Sequence, residues 1–163
     1  VIDPTRDTGK YREALARGGL SARFVIDTHT HCLFQASLDL MGADGPGILP
    51  PTKGVAEHFL DRADPLKDRL AAMDRMGVDM QVLSVNPFWY KKDRETAQAI
   101  CKINNESLAE LIALHPRRFS AFASICMQFP DLAVQQLEEA VKKFRAKLKE
   151  KEDYQNKFNK YEV

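Results

Sequence analysis

A chain of 163 residues with 44% hydrophobic and 29% charged content has an ordinary globular composition, large enough for one domain with a real core. Its formal charge of +1 gives no general attraction to nucleic acid or an anionic membrane, and no apolar run approaches bilayer-spanning length. Three cysteines, Cys32, Cys101 and Cys126, are odd in number and lack a Cys-x-x-Cys pair, which argues against a disulfide scaffold and for a reducing, cytoplasmic setting. The start of the chain carries no signal-peptide pattern.

Residues 1–23 read as a polar leader with a short helix around Tyr11–Ala16 that stops at Gly18-Gly19. The first strand is expected over Phe24–Asp27, running straight into His29 and His31. Residues two apart on an extended chain point to the same side, so both imidazoles can converge on one ion. Neutral imidazole is the commonest protein ligand for zinc and also suits iron. Asp27, two residues earlier, is placed to be an outer hydrogen-bond partner or a distal ligand. Cys32 follows the pair and reads as a small buried hydrophobe. A long connection broken by Gly42, Gly45, Pro46, Gly47, Pro50 and Pro51 then extends to about Val55.

Asp64-Pro65 opens a helix, with Asp64 as cap, Leu66, Leu70 and Met73 on one face, and Gly77 as stop. The second strand is expected over Val78–Val85. A loop, Asn86–Asp93, carries Phe88, Trp89 and Tyr90. The next helix spans Arg94 to Leu114, burying Ala97, Ile100, Cys101, Asn104, Leu108 and Leu111, and His115-Pro116 ends it. A third strand, Phe119–Ile125, precedes a helix introduced by Pro130-Asp131, with Val134, Leu137, Val141, Phe144 and Leu148 on its buried side. From residue 142 onward, eight Lys/Arg stand against four Asp/Glu, which reads as a solvated helix end and a loose polar tail. Three strand–helix units in succession are the grammar of a parallel α/β fold, and no glycine-rich phosphate loop follows any strand.

The Asp27-Thr28-His29-Thr30-His31 strand end resembles that of the amidohydrolase-2 branch of the metal-dependent amidohydrolases, which includes aminocarboxymuconate-semialdehyde decarboxylase and the resorcylate decarboxylases. Leu70–Ser84 (LAAMDRMGVDMQVLS), Ile103–Phe122 (INNESLAELIALHPRRFSAF) and Ser124–Ala140 (SICMQFPDLAVQQLEEA) resemble the same branch in order and spacing. The resemblance extends over residues 25–143 and implies the N-terminal portion of a (β/α)8 TIM barrel, incomplete because only three strand–helix units are present. His29 and His31 match the family's two first-strand metal ligands. The later ligands, a histidine and an aspartate, have no counterpart here, nor does the catalytic acid/base. One divalent ion is implied, zinc first, with manganese or iron as alternatives.

The expected organisation is a leader at 1–23, a partial barrel at 24–143 and a charged tail at 144–163. Loops after strands form the active face of such a barrel, so Phe88, Trp89 and Gln128 are the candidate substrate-contacting residues. His58 also follows the first strand, but an exposed place on a Glu57–Arg62 turn is the expectation for it. His115 belongs to the opposite end, and Arg94 is expected to be solvated at a helix start. The implied activity is that of a hydrolase or carboxy-lyase on a small carboxylated or cyclic substrate, inactive as an isolated chain. A non-catalytic remnant that self-associates or binds a complementary chain is one alternative, and a TatD-like nuclease another. Exposed barrel edges predict an oligomer.

Overall fold

The computed structural model describes residues 8–21, 24–42 and 56–158, with the side chains of residues 8, 11 and 151–158 left aside. Three parallel strands in the order β1-β2-β3 form one sheet, as the three-unit reading predicts. They are β1 (Ile26–His31), β2 (Met80–Ser84) and β3 (Phe119–Ala121). The helices are α1 (Thr8–Arg17), α2 (Gln35–Met41), α3 (Ala63–Met76), α4 (Arg94–Leu114) and α5 (Pro130–Phe158), with 3-10 turns at Ala56–His58 and Phe88–Lys91.

The first strand corrects the expected Phe24–Asp27 range. β1 begins at Ile26 and continues through His31, so both histidines lie within the strand rather than beyond it. Thr28 and Thr30 are β-branched and favour the extended backbone. Asp27 pairs with Gln81 and Thr30 with Leu83, so Thr28 and His29 together face the single residue Val82. This two-against-one step is a β-bulge, a device that bends a strand and re-aims its side chains.

β3 is shorter than Phe119–Ile125 because another group captures the chain. Its last link to β2 is Phe122 N–H donating to Leu83 O at 2.9 Å. The Asn105 side chain then accepts from Ser124 N–H at 2.7 Å and donates to Ser124 O at 2.9 Å, drawing the backbone off the sheet.

Asp27, Thr30, Gln81, Leu83 and Phe119 are buried on one face of the sheet. Met73, Ile100, Cys101, Leu108 and Leu132 join Leu83 and Phe119 in the core beneath the helices. The opposite face carries Ile26, Met80, Val82, Ser84 and Ser120, which are half-buried or exposed.

Helix α4 has the expected bounds and buries every residue of its expected stripe. Asp93 caps it, accepting from Thr96 N–H at 2.9 Å and Thr96 Oγ1 at 2.8 Å. For α3 the cap differs. The helix starts at Ala63 after an Arg62 that makes no side-chain cap, which puts Asp64 inside the first turn. There its carboxylate still complements the helix N-terminus. Gly77 closes α3 in the left-handed conformation at φ 66°, and Arg12 Nη2 of α1 donates to its carbonyl at 3.0 Å.

Two further expectations are corrected. The connection after the first strand contains α2, which buries Ser37 and Met41 and ends at Gly42. Residues 43–55, with the other glycines and prolines of that connection, lie outside the described residues. In α5 the buried side is Leu132, Ala133, Gln136 and Ala140, while Val134, Leu137 and Val141 are exposed. Phe144 and Leu148 pack at the margin of the core. Gln136 sets this rotation, because its Oε1 accepts from Cys126 N–H at 2.8 Å in the buried interior. Small Ala133 and Ala140 on the same side let the backbone approach closely. α5 also runs without a break through residue 143 to Phe158, so the solvated helix end expected from residue 142 takes up most of that segment; residues 159–163 lie outside the described ones.

Candidate metal centre

The bulge in β1 brings His29 Nε2 and His31 Nε2 to 3.2 Å, with the rings edge to face and their centroids 5.0 Å apart. Two nitrogens each about 2.1 Å from one ion, at this separation, would subtend an angle of about 100° there, between octahedral and tetrahedral values. The pair therefore fits a shared divalent cation.

His31 is set in the form that ligation needs. The Ser84 hydroxyl donates to Thr30 O at 3.3 Å and lies 3.0 Å from His31 Nδ1. With its one proton committed to Thr30, Ser84 accepts from Nδ1–H, and Nε2 keeps its lone pair. Burial lowers the pKa of His31, and His29, His58 and Arg69 push it the same way, against a raising hydrogen bond to the Ser84 backbone. The neutral imidazole favoured by that shift is the ligating species.

Asp27 is only 3% exposed, and it anchors the bulge. Its carboxylate accepts from His29 N–H at 3.1 Å, Thr30 Oγ1 at 2.7 Å and Gln81 Nε2 at 3.1 Å. Those oxygens thus fix the strand that carries the imidazoles, where the sequence suggested a bond to an imidazole or to the ion.

Arg69, on α3, is a participant the sequence reading passed over. Its guanidinium donates to His31 O at 3.2 Å and reaches His58 Nδ1 at the same distance. Arginine can only donate, so His58 accepts through Nδ1 and carries its proton on Nε2. His58 therefore presents no lone pair to an ion, although it lines the same cavity of about 440 Å³ as His29, His31, Asp27, Glu57 and Arg69. Among the described residues no cluster of three or more ligating groups is assembled.

The comparisons with known proteins agree with this architecture. No family model matches the chain. A gamma-resorcylate decarboxylase from Rhizobium radiobacter is 36% identical over 102 residues, covering 60% of this chain and 30% of that protein. A dihydroxybenzoic acid decarboxylase from Polaromonas, solved with manganese and the inhibitor 2-nitroresorcinol, superimposes with a TM-score of 0.61 at 28% identity, covering 76% of this chain and 36% of its own. For 5-carboxyvanillate decarboxylase from Sphingomonas paucimobilis the TM-score is 0.65 at 26% identity, with 76% and 41% covered. Over 60–76% of its length the chain is similar to part of the amidohydrolase-2 decarboxylases. It spans about 30% of the length of the curated relatives it matches, and its sheet is a three-stranded part of their barrel.

The other candidate residues take varied places. Trp89 is 2% exposed, fixed by Nε1–H donating to Ile125 O at 3.1 Å, and its own carbonyl accepts from Gln128 Nε2 at 3.1 Å. Trp89 lines a hollow of about 190 Å³ with Ser84, Tyr90, Phe122 and Ile125. Phe88 packs at the core margin, and neither it nor Gln128 borders that hollow. Gln128 Oε1 is buried without a hydrogen-bond partner among the described residues.

Cys32 is fully buried, and burial pushes its thiol up to about 12, so it stays protonated as a small core side chain. His115 ends α4 and stacks edge-on against Phe119 at 6.0 Å, away from the histidine pair. Arg94 pairs with Asp131 at 2.5 Å on the surface.

Proposed function

We propose that this chain supplies the ion-holding first strand of a carboxy-lyase acting on small aromatic carboxylates. The observation that carries the reading is the 3.2 Å approach of His29 Nε2 and His31 Nε2 on a bulged parallel strand. The relatives that match in sequence are decarboxylases, which favours carboxylate removal over hydrolysis. His29 and His31 would hold one divalent ion. Manganese ranks ahead of the zinc expected from imidazole chemistry, because the similar Polaromonas decarboxylase structure contains it.

When bound, such an ion polarises a substrate oxygen as a Lewis acid. The chain's own residues do the rest of the positioning. Ser84 orients the His31 ring, and Asp27 holds the bulge beneath both imidazoles. Arg69 lends positive charge to the same cavity, which favours entry of a carboxylate. In the reaction the bond from ring carbon to carboxylate breaks, its electron pair stays on the ring, and a proton replaces the departing carbon dioxide. The proton donor and the further ligands belong, in this reading, to the remainder of the barrel. Turnover by the chain alone is accordingly negligible, and the setting is the reducing cytoplasm.

The test is manganese and substrate binding, with release of carbon dioxide from 2,6-dihydroxybenzoate as the activity readout. The expected result is manganese binding with little or no turnover. Turnover that disappears in His29→Ala would support the chemistry and overturn the claim of inactivity. Failure to bind either the ion or the acid would contradict the reading.

The same incompleteness predicts self-association. Ile26, Val134, Leu137 and Val141 are exposed apolar side chains, and β1 and β3 are the outer strands among the described residues. Light scattering is expected to show an average mass that rises with concentration. A monodisperse monomer across the accessible range would refute this. Among the described residues no helix is long and apolar enough to cross a membrane.

A further inference from the structure

Register places three side chains in one row across the carboxyl ends of the strands. His31 pairs with Ser84, and Leu83 pairs with Ala121, so the next residue, Phe122, stands opposite Ser84. Its N–H bond to Leu83 O, at 2.9 Å, confirms that the pairing reaches this far. Paired residues of adjacent strands point to the same side of a sheet. His31, Ser84 and Phe122 therefore share the open face, at the end of the strands where barrels of this kind bind their substrates.

The row ends in a partly built pocket. Phe122 is 58% and Tyr90 46% exposed, and both border the hollow of about 190 Å³ that includes Ser84. Trp89 makes its wall and is immobilised by the Ile125 and Gln128 hydrogen bonds. Ligand pockets usually run from about 300 to 1,000 Å³, so this one suits a single ring. Two strand spacings, about 10 Å, separate the Phe122 strand from β1. That interval accommodates one ring with its carboxylate reaching toward the histidines. Neither exposed aromatic side chain is needed by the core.

We propose that Phe122 and Tyr90 seat the aromatic ring of a small hydroxylated aromatic carboxylate, with the carboxylate directed along the row toward the His29–His31 pair. This rests on the reading of that pair as the ion site. Phe122 and Tyr90 are thus specificity-determining: they stack on a planar ring and give little to an aliphatic acid of the same charge.

The chain has one tryptophan, and it borders the hollow, so the seat can be read by fluorescence. The full chain, with and without manganese, is titrated with 2-nitroresorcinol, whose nitro group quenches indole emission. Saturable quenching of Trp89 is expected, with the dissociation constant raised about tenfold in Phe122→Ala and less in Phe122→Tyr. Thermal stability should hold in both variants because the side chain is exposed, and manganese affinity should be unchanged. Quenching that is equally tight in Phe122→Ala, or absent while manganese is bound, would overturn the seat and leave the ion reading standing. Phe122-dependent quenching without any manganese binding would support the seat and overturn the ion reading.

Discussion

The His29→Ala/His31→Ala double variant is expected to lose divalent-ion binding altogether, and each single variant to lose about a hundredfold or more in affinity. The reason is geometric. Two lone pairs 3.2 Å apart repel each other unless a proton or a cation lies between them, so the arrangement gains most when an ion is present. Removing one imidazole leaves a single neutral donor, which holds an ion no better than an isolated histidine. Ser84→Ala is expected to cost about tenfold, the lower end of the range for residues that orient a ligand. Calorimetric titration with manganese measures all four proteins. Folding should be unaffected in the double variant, because His29 is exposed and His31 only half-buried. Retained affinity in that variant would place the ion elsewhere.

Asp27→Ala is expected to have the largest effect on stability of any substitution near the site, about 3 kcal/mol. The carboxylate is buried and accepts from one backbone and two side-chain donors. Truncation leaves those largely buried donors without their acceptor, at a cost greater than the net gain from forming the bonds. It also frees the bulge. A strand that relaxes by one residue turns its side chains to the other face, which would part the two imidazoles. Asp27→Ala should therefore lower both the urea midpoint and the manganese affinity. Asp27→Asn keeps one acceptor oxygen and should fall between the two. A midpoint within error of the parent would show that water or another group satisfies the donors, and would remove Asp27 as the anchor.

What was legible in the sequence depended on whether the deciding signal was local. Helix α4 is legible because one apolar stripe runs its length and His115-Pro116 stops it, and the Asp93–Thr96 cap that fixes its start is equally local. The histidine pair was legible for the same reason: alternate spacing after an apolar run is a local pattern. Helix α5 offered two apolar faces, and the choice between them lay in the Gln136–Cys126 hydrogen bond, a tertiary contact. The limits of β1 were misjudged because Thr28, His29 and His31 are polar, and a strand ending in functional groups lacks the alternation of a core strand. No residue announces the bulge, since it exists only relative to β2. Arg69 gives only a faint signal, as a cation beside the Leu66, Leu70 and Met73 stripe. Ser84 and Phe122 gave none. Their role comes from strand register, which joins residues more than 30 positions apart.

If His29 and His31 share one divalent ion, electron spin echo spectroscopy of the manganese-loaded chain detects both imidazoles. Nitrogen nuclei bound to manganese modulate the echo, so the imidazoles can be counted. Two coupled imidazoles are expected in the parent chain and one in either single alanine variant. A spectrum with no nitrogen coupling, or one unchanged when both histidines are replaced, would place the ion away from this pair.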